Sequence, residues 1–170
     1  MKKHSGMRPH DIVVLLKIAA KKDDPWFMKD LSHELGISAS EISESLNRSA
    51  IAGLISKDKK QLMRLAILDF LAYGLRYVFP AMPGGMVKGI PTAHSAHPLA
   101  DSIRSNTAYV WAYPEGKVRG ESVAPLHANL PQACAQDQLF YEYMALCDAL
   151  RVGKAREKKL AIAALKERLC

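Results

Sequence analysis

Cysteine is scarce in this 170-residue chain, and its three residues, Cys134, Cys147 and Cys170, are odd in number and widely spaced. That pattern gives neither a disulfide framework nor a zinc ribbon, and a reducing compartment fits it best. Long apolar runs are missing as well. None approaches the roughly 20 residues that span a bilayer, and the start MKKHSGMRPHD has no apolar stretch behind its lysines to act as a signal peptide. A cytoplasmic protein with no membrane role is therefore expected. The glycine-rich run Pro83-Gly84-Gly85-Met86-Val87-Lys88-Gly89 lacks the Gly-Lys-Ser/Thr ending of a phosphate loop and does not lead into a helix. No Ser/His/Asp or Cys/His grouping has local support. The expectation is a protein with no catalytic residue, no cofactor and no enzymatic activity.

Histidine is nearly as thin. His94 and His97 stand three apart in GIPTAHSAHP with Asp101 just beyond, but no third and fourth ligand follow at metal-site spacing. His127, Asp101 or Cys134 could complete a site in space, yet nothing in the spacing requires it. The two imidazoles are expected to satisfy backbone groups in an irregular loop, with no metal bound.

What the chain does have is positive charge. It carries a net +7 and a pI near 9.4, with an ordinary balance of 49% hydrophobic and 24% charged residues that is enough for a packed core without staples. The charge is unevenly spread. Residues 1–64 hold 12 Lys+Arg against 8 Asp+Glu, residues 65–150 hold 5 against 7, and residues 151–170 hold 7 against 2. Two basic ends around a slightly acidic middle suggest a polyanionic partner reached from the ends.

Helical punctuation organises the first third. RPHDIVVLLKIAAKK places Ile12, Leu15, Leu16 and Ala19 at helical spacing and stops at Asp23-Asp24-Pro25. KDLSHELG sets Leu31 and Leu35 on one face and offers Gly36 for a left-handed C-terminal turn. Ser38-Ala39-Ser40-Glu41 has the form of a capping box, and ASEISESLNRSAIAGLI continues as a third helix with Ile42, Leu46 and either Ala50 or Ile51 inward, closed by Gly53. Residues 61–79 are apolar around most of a helical circumference, which predicts a central helix or one buried against a second copy. From Pro80 to Pro131 the expectation is a loop-rich cap with one hairpin, TAYVWAY and VRGESV joined at Pro114-Glu115-Gly116-Lys117. Two helices around Gly153 complete the chain. The fold class is thus mainly α, divided into residues 1–60 and an accessory part, residues 61–170, comprising 61–79, 80–131 and 132–170.

The stretch KDLSHELGISASEISESLNRSAIAGLI, within about residues 9–60, resembles the helix-turn-helix of winged-helix bacterial transcriptional regulators, broadly the multiple-antibiotic-resistance-regulator (MarR) type. Leu31 and Leu35 would hold the second helix, Ser32 would allow a close crossing, and Ile37, Ile42 and Leu46 would seat the third helix. Two departures stand out. Phe27 occupies the position where Ser or Thr often caps the second helix, and ISKDKK is long enough only for a stub of a wing. The resemblance implies that the third helix enters a major groove of double-stranded DNA, with Ser38, Ser40, Glu41, Ser43, Glu44, Asn47 and Arg48 on its exposed face. Asn47 suits adenine, Arg48 suits guanine or phosphate, and the serines suit phosphates. Glu41 and Glu44 repel the DNA backbone, so Lys57, Lys59, Lys60 and Arg64, with Lys2, Lys3 and Arg8 at the N-terminus, are expected to supply affinity. FLAYGLRYVFPAMPGGMVKGIPTAHSAHPLAD followed by LCDALRVGKAREKKLA looks like the accessory half of small bacterial helix-turn-helix proteins that act as regulators or antitoxin-like partners. That likeness implies a homodimer and a protein partner. The functional expectation is a homodimeric, sequence-specific transcriptional repressor; the alternative is an antitoxin-like or adaptor protein whose second half holds another protein. Arg151, Lys154, Arg156, Lys158 and Lys159 form a second basic cluster, read as a solvated face, a phosphate strip or a docking surface.

Overall fold

Helix α1 (Pro9–Ala20) begins where the sequence provides every local signal for a start. Pro9 sits in the first turn, where its missing N–H costs nothing, and the Asp11 carboxylate accepts from the Arg8 N–H at 2.8 Å. Helix α2 (Met28–Leu35) ends at Gly36, whose φ of +64° is the left-handed turn that glycine adopts most easily. Helix α3 (Ala39–Ile51) starts from Ser38, whose Oγ accepts from the Glu41 N–H at 3.3 Å. The other half of the expected capping box is not made: the Glu41 carboxylate turns to Arg8 and His10 instead.

The computed structural model describes residues 3–170, so Lys2 lies outside the described residues. The chain divides into two compact units, one of residues up to Ile67 with Leu126–Phe140, the other of Leu68–Pro125 with Tyr141–Cys170. With 52% of residues helical and 10% in strands, the protein is mainly α with a small sheet. No helix among the described residues is long and apolar enough to cross a membrane.

In the first unit the central helix is α1, not residues 61–79. Every residue from Asp11 to Ala19 is buried, including two charged ones, Asp11 and Lys17. Lys17 is tolerated there because its ammonium meets Asp137 at 2.7 Å and Glu34 at 3.2 Å and lies 5.0 Å from the centre of the Phe140 ring. The returning segment holds this unit at a second point, where Asn129 in the turn before α6 (Leu130–Cys134) donates to the Gly36 carbonyl at 3.0 Å. After α3, Gly53 at φ +79° reverses the chain into a minimal hairpin: Ile55 bridges Leu62, the Ser56 N–H donates to Gln61 O at 2.8 Å, and the Met63 N–H donates to Leu54 O at 3.0 Å.

Helix α4 (Arg64–Tyr73) follows and breaks at Gly74 before the short α5 (Leu75–Val78). Ile67, Leu68, Leu71 and Leu75 are buried, whereas Tyr73 and Tyr77 are each 75% exposed and Val78 is 50% exposed. Hydropathy alone made this stretch central. The fold covers only one side of it.

The second unit is built on three strands, β1 (Met86–Pro91), β2 (Tyr109–Ala112) and β3 (Val118–Ser122), each paired with the other two. The expected hairpin is corrected here: β2 and β3 both run antiparallel to β1 and pair with each other in parallel. The turn at Tyr113–Lys117 therefore hands both segments to a third strand, β1, which lies in the region read as loop. Glycine makes the close approach feasible. A Cβ at Gly89 would stand 1.8 Å from the Trp111 carbonyl oxygen, and one at Gly120 would stand 2.5 Å from that of Ala108.

Helices α7 (Gln138–Val152) and α8 (Ala155–Leu169) part at Gly153, as the sequence suggests. Within this unit Asp148 of α7 is wholly buried and accepts from Thr92 Oγ1 at 2.7 Å, Trp111 Nε1 at 2.7 Å and Arg151 Nη1 at 2.8 Å. Burial pushes the Asp148 carboxyl up from its usual range, against the pull of Arg151, Thr92 and Trp111. Arg151 also donates to the Phe79 and Ala124 carbonyls, so it is a buried tie and not part of a basic surface.

Asp148→Ala would strand a guanidinium, an indole N–H and a hydroxyl, and is expected to cost about 3–5 kcal/mol, as loss of one partner of a buried ion pair generally does. Urea unfolding followed by tryptophan emission reads this directly, because Trp111 is one of the two tryptophans.

Candidate nucleic-acid interface

Helix α3 has one outward face, Ser40, Ser43, Glu44, Asn47 and Ile51, at the three- and four-residue spacing that keeps side chains together. Ser40 is exposed, Ser43 and Asn47 are half-buried, and Ile51, one of the two expected core positions, is 43% exposed. The inward face carries Ile42 and Leu46 as expected, but the positions around them are filled by Ser45, Ser49 and Arg48.

Arg48 is the main correction to the candidate site. It is 5% exposed, its Nε and Nη2 bonded to the Asp11 carboxylate at 2.9 and 2.7 Å in a two-pronged pair. The hydrogen bond to Asp11 is the largest cause raising the Arg48 pKa, with burial opposing and the charges of Asp11, Glu41 and Glu44 adding. Such a group cannot leave for a base edge without stranding a buried carboxylate. The physical reason lies in α1: Asp11, the third residue of that helix, is buried and needs a cation, which Arg48 supplies.

The same cation orders its neighbour. Arg48 Nη2 lies 3.1 Å from His10 Nε2, and because guanidinium only donates, that nitrogen must accept and the ring proton sits on Nδ1. His10 is therefore neutral. Burial is the largest cause lowering its pKa, the Arg48 and Arg8 charges add to it, and Asp11 and Glu41 oppose. His127, whose ring centre lies 6.3 Å from that of His10, is lowered by burial and then by His10.

Ser38 and Ser40 stay at the surface, sharing a hydrogen bond at 3.2 Å between their hydroxyls. The hairpin turn carries Lys57, Lys59 and Lys60, and of these Lys59 reaches α3. Ser56 and Asp58 fix its backbone, accepting from the Lys60 and Gln61 N–H groups. From that turn Lys59 Nζ donates to Asn47 Oδ1. Lys59 also lines a cleft of about 240 Å³ with Trp26, Met28, Ser43 and Leu46. Lys60 and Arg64 face a different, open groove of about 1060 Å³, whose walls include Lys22, Trp26 and Phe27. Phe27 is 68% exposed and makes no side-chain cap for α2.

Three predicted contact residues thus converge, Ser43, Asn47 and Lys59; Lys57, Lys60 and Arg64 stand on the hairpin side, and Arg48 is withdrawn. Sequence reasoning missed Lys22 and Trp26, which sit in the punctuation between two helices and carry no periodic signal. It also missed the tie from His10 and Asp11 to Arg48, although an acidic residue two places after Pro9 is a recognisable helix-start signal.

His94 and His97 belong to the second unit. His94 Nε2 donates to the Thr107 carbonyl at 3.2 Å, its ring meets Tyr109 edge-on at 4.6 Å, and its Nδ1 lies 3.9 Å from Glu157. His97 lies 2.9 Å from Asp101 and 3.6 Å from Glu142. Among the described residues no three His, Cys, Asp or Glu side chains are grouped to hold a metal ion. Cys134 and Cys147 are buried and Cys170 is exposed; burial pushes the Cys147 thiol well up, so it is inert as a nucleophile.

No family model, curated protein or solved structure matches this chain.

Two outcomes follow from the tie between α1 and α3. Arg48→Ala leaves Asp11 buried and unpaired, and should lower stability by about 3–5 kcal/mol in urea titration. Acid should also destabilise. In the unfolded chain His10 and His127 titrate near 6.5, while folding favours their neutral forms, so below that value the unfolded state binds more protons and stability falls with pH. A melting temperature that drops between about pH 7.5 and about pH 5.5, with a smaller drop in His10→Gln, is the expected result.

Proposed function

We propose that the protein is a sequence-specific binder of double-stranded DNA that acts as a homodimeric transcriptional regulator. The observation that carries this reading is the side-by-side placement of the α3 stripe, Ser40, Ser43 and Asn47, and a short hairpin turn bearing Lys57, Lys59 and Lys60. A helix of this width fits a major groove, and lysines flanking it neutralise phosphates while the helix reads base edges. The exposed serines Ser38 and Ser40 at the start of α3 suit phosphate oxygens, with the amides of the helix terminus behind them. Arg48 has no part in this reading. Glu41 is less of an obstacle than its charge suggests, because its carboxylate lies 3.9 Å from the Arg8 guanidinium.

Dimerisation through the α4–α5 region is supported by Tyr73, Tyr77 and Val78, which leave apolar surface exposed on a helical segment, continued by Met82 at 87% exposure. A two-fold dimer reads an inverted repeat, with half-site centres about one helical turn, roughly 34–36 Å, apart. The same exposed apolar strip favours the second reading, in which a different protein covers it and the chain is an adaptor or antitoxin-like partner. Sedimentation of the purified protein separates the two: a dimer supports the first, and a monomer that forms a stoichiometric complex with the product of an adjacent gene supports the second.

Fluorescence anisotropy against a duplex from the chain's own upstream DNA and a scrambled duplex, over a range of salt, tests the DNA reading. Preference for the upstream duplex is expected, with log affinity falling linearly in log salt. Lys57→Ala should weaken both duplexes similarly and flatten the salt slope by about one unit. Equal, weak binding to both duplexes would overturn sequence-specific recognition.

A further inference from the structure

Lys59 occupies a backbone conformation that favours another residue. Its φ of +61° lies in the left-handed region, which glycine or asparagine adopts at lower cost than a lysine does. The turn around it is firmly made: Ser56 Oγ accepts from the Lys60 N–H at 3.2 Å and the Gln61 N–H at 3.0 Å, Asp58 accepts from the Lys60 N–H at 3.1 Å, and the Lys59 N–H donates to Ser56 O at 2.8 Å. This rigid turn aims the half-buried Lys59 side chain at α3, where its Nζ donates to Asn47 Oδ1. The two residues stand twelve positions apart in sequence.

The chemistry of that bond fixes how Asn47 is presented. Ammonium can only donate, so the amide oxygen must be the atom facing Lys59, and the Nδ2 amino group takes the other side. An asparagine reads adenine by offering one donor to N7 and one acceptor to the N6 amino group. Here the acceptor is engaged by a cation, and the amino group of adenine or cytosine would approach that positive charge with its own positive edge. What remains is donors only, the Asn47 amino group together with the ammonium protons not used on Oδ1. In the major groove the base with two adjacent acceptors, O6 and N7, is guanine.

We propose that Lys59 is a positioning and specificity-determining residue that turns Asn47 from an adenine reader into a donor pair selective for guanine. The inference rests on the DNA-binding reading above and adds the base that its central contact takes. What the left-handed lysine adds is its reach to α3, since the turn itself would close as well with glycine.

Three variants of the full-length protein test this: Lys59→Met, which keeps the stem and removes the donor, Lys59→Arg, which keeps a donor, and Lys59→Gly, which relieves the backbone and guards against misfolding. Side-chain amide NMR on the DNA-free protein comes first. The Asn47 amide pair should shift in Lys59→Met and Lys59→Gly and return towards its wild-type position in Lys59→Arg; a pair indifferent to all three overturns the inference. Selection from randomised duplexes comes second. Wild type and Lys59→Arg should enrich guanine at one position per half-site, whereas Lys59→Met and Lys59→Gly should move about tenfold towards adenine there. The same base choice in wild type and all variants overturns the inference while leaving the DNA reading intact. A wild-type protein that enriches no sequence overturns the DNA reading, and the guanine assignment with it.

Discussion

A carboxylate buried without a partner is one of the costliest groups a fold can contain, and the first unit is arranged around avoiding that at Asp11. Its two oxygens take three hydrogen bonds, one from the Arg8 backbone and two from Arg48. The first makes the start of α1, and the other two fix α3 against it at a defined rotation. That rotation decides which of the polar residues of α3 face outward. Ser40, Ser43 and Asn47 are presented because Arg48 is held inside. Any reading of α3 as an interface depends on this pair, although neither member of it touches the interface.

The second unit solves the same problem with different parts. Asp148 gathers Thr92 from the end of β1, Trp111 from β2 and Arg151 from its own helix, and Arg151 then reaches two backbone carbonyls. A three-stranded sheet whose strands all pair with one another has little side-chain volume inside, as Gly89 and Gly120 attest. Its ties to helix α7 include polar, directional bonds beside the contact of the Trp111 and Tyr141 rings. Tyr141 adds another by donating to the Pro91 carbonyl.

How much of this could be read from the sequence follows the distance over which each signal acts. Helix ends in the first third were legible because their causes are local: Pro9 and Asp11 at one start, Ser38 at another, Gly36 and Gly53 at two stops. The outward Ser40, Ser43 and Asn47 were legible from periodicity once Ile42 and Leu46 were placed inside. Arg48 was not, because only two strongly apolar residues mark the inner face of α3, and the residue that draws Arg48 inward lies 37 positions earlier. The apolar circumference of residues 61–79 was legible, but hydropathy says nothing about what covers a surface, and α1 proved to be the buried helix. Strand β1 escaped notice because Gly89 and Pro91 are poor strand formers taken singly, and its partners lie about twenty to thirty-five residues downstream. The bond from Lys59 to Asn47 could not be read at all, since a turn's conformation decides where its side chains point.

The first unit is discontinuous in the chain, with Leu126–Phe140 returning to it after the second unit has begun. During synthesis this sets an order. A nascent chain that has emerged only through α4 has Glu34 to answer Lys17 but neither Asp137 nor Phe140, and the Gly36 carbonyl still waits for Asn129. The helices that present α3 are thus finished only when about four-fifths of the polypeptide has left the ribosome. A protein stopped short before Leu126 would leave Lys17 with Glu34 alone and the Gly36 carbonyl without Asn129, which makes the far part of the chain a proofreader of the near one.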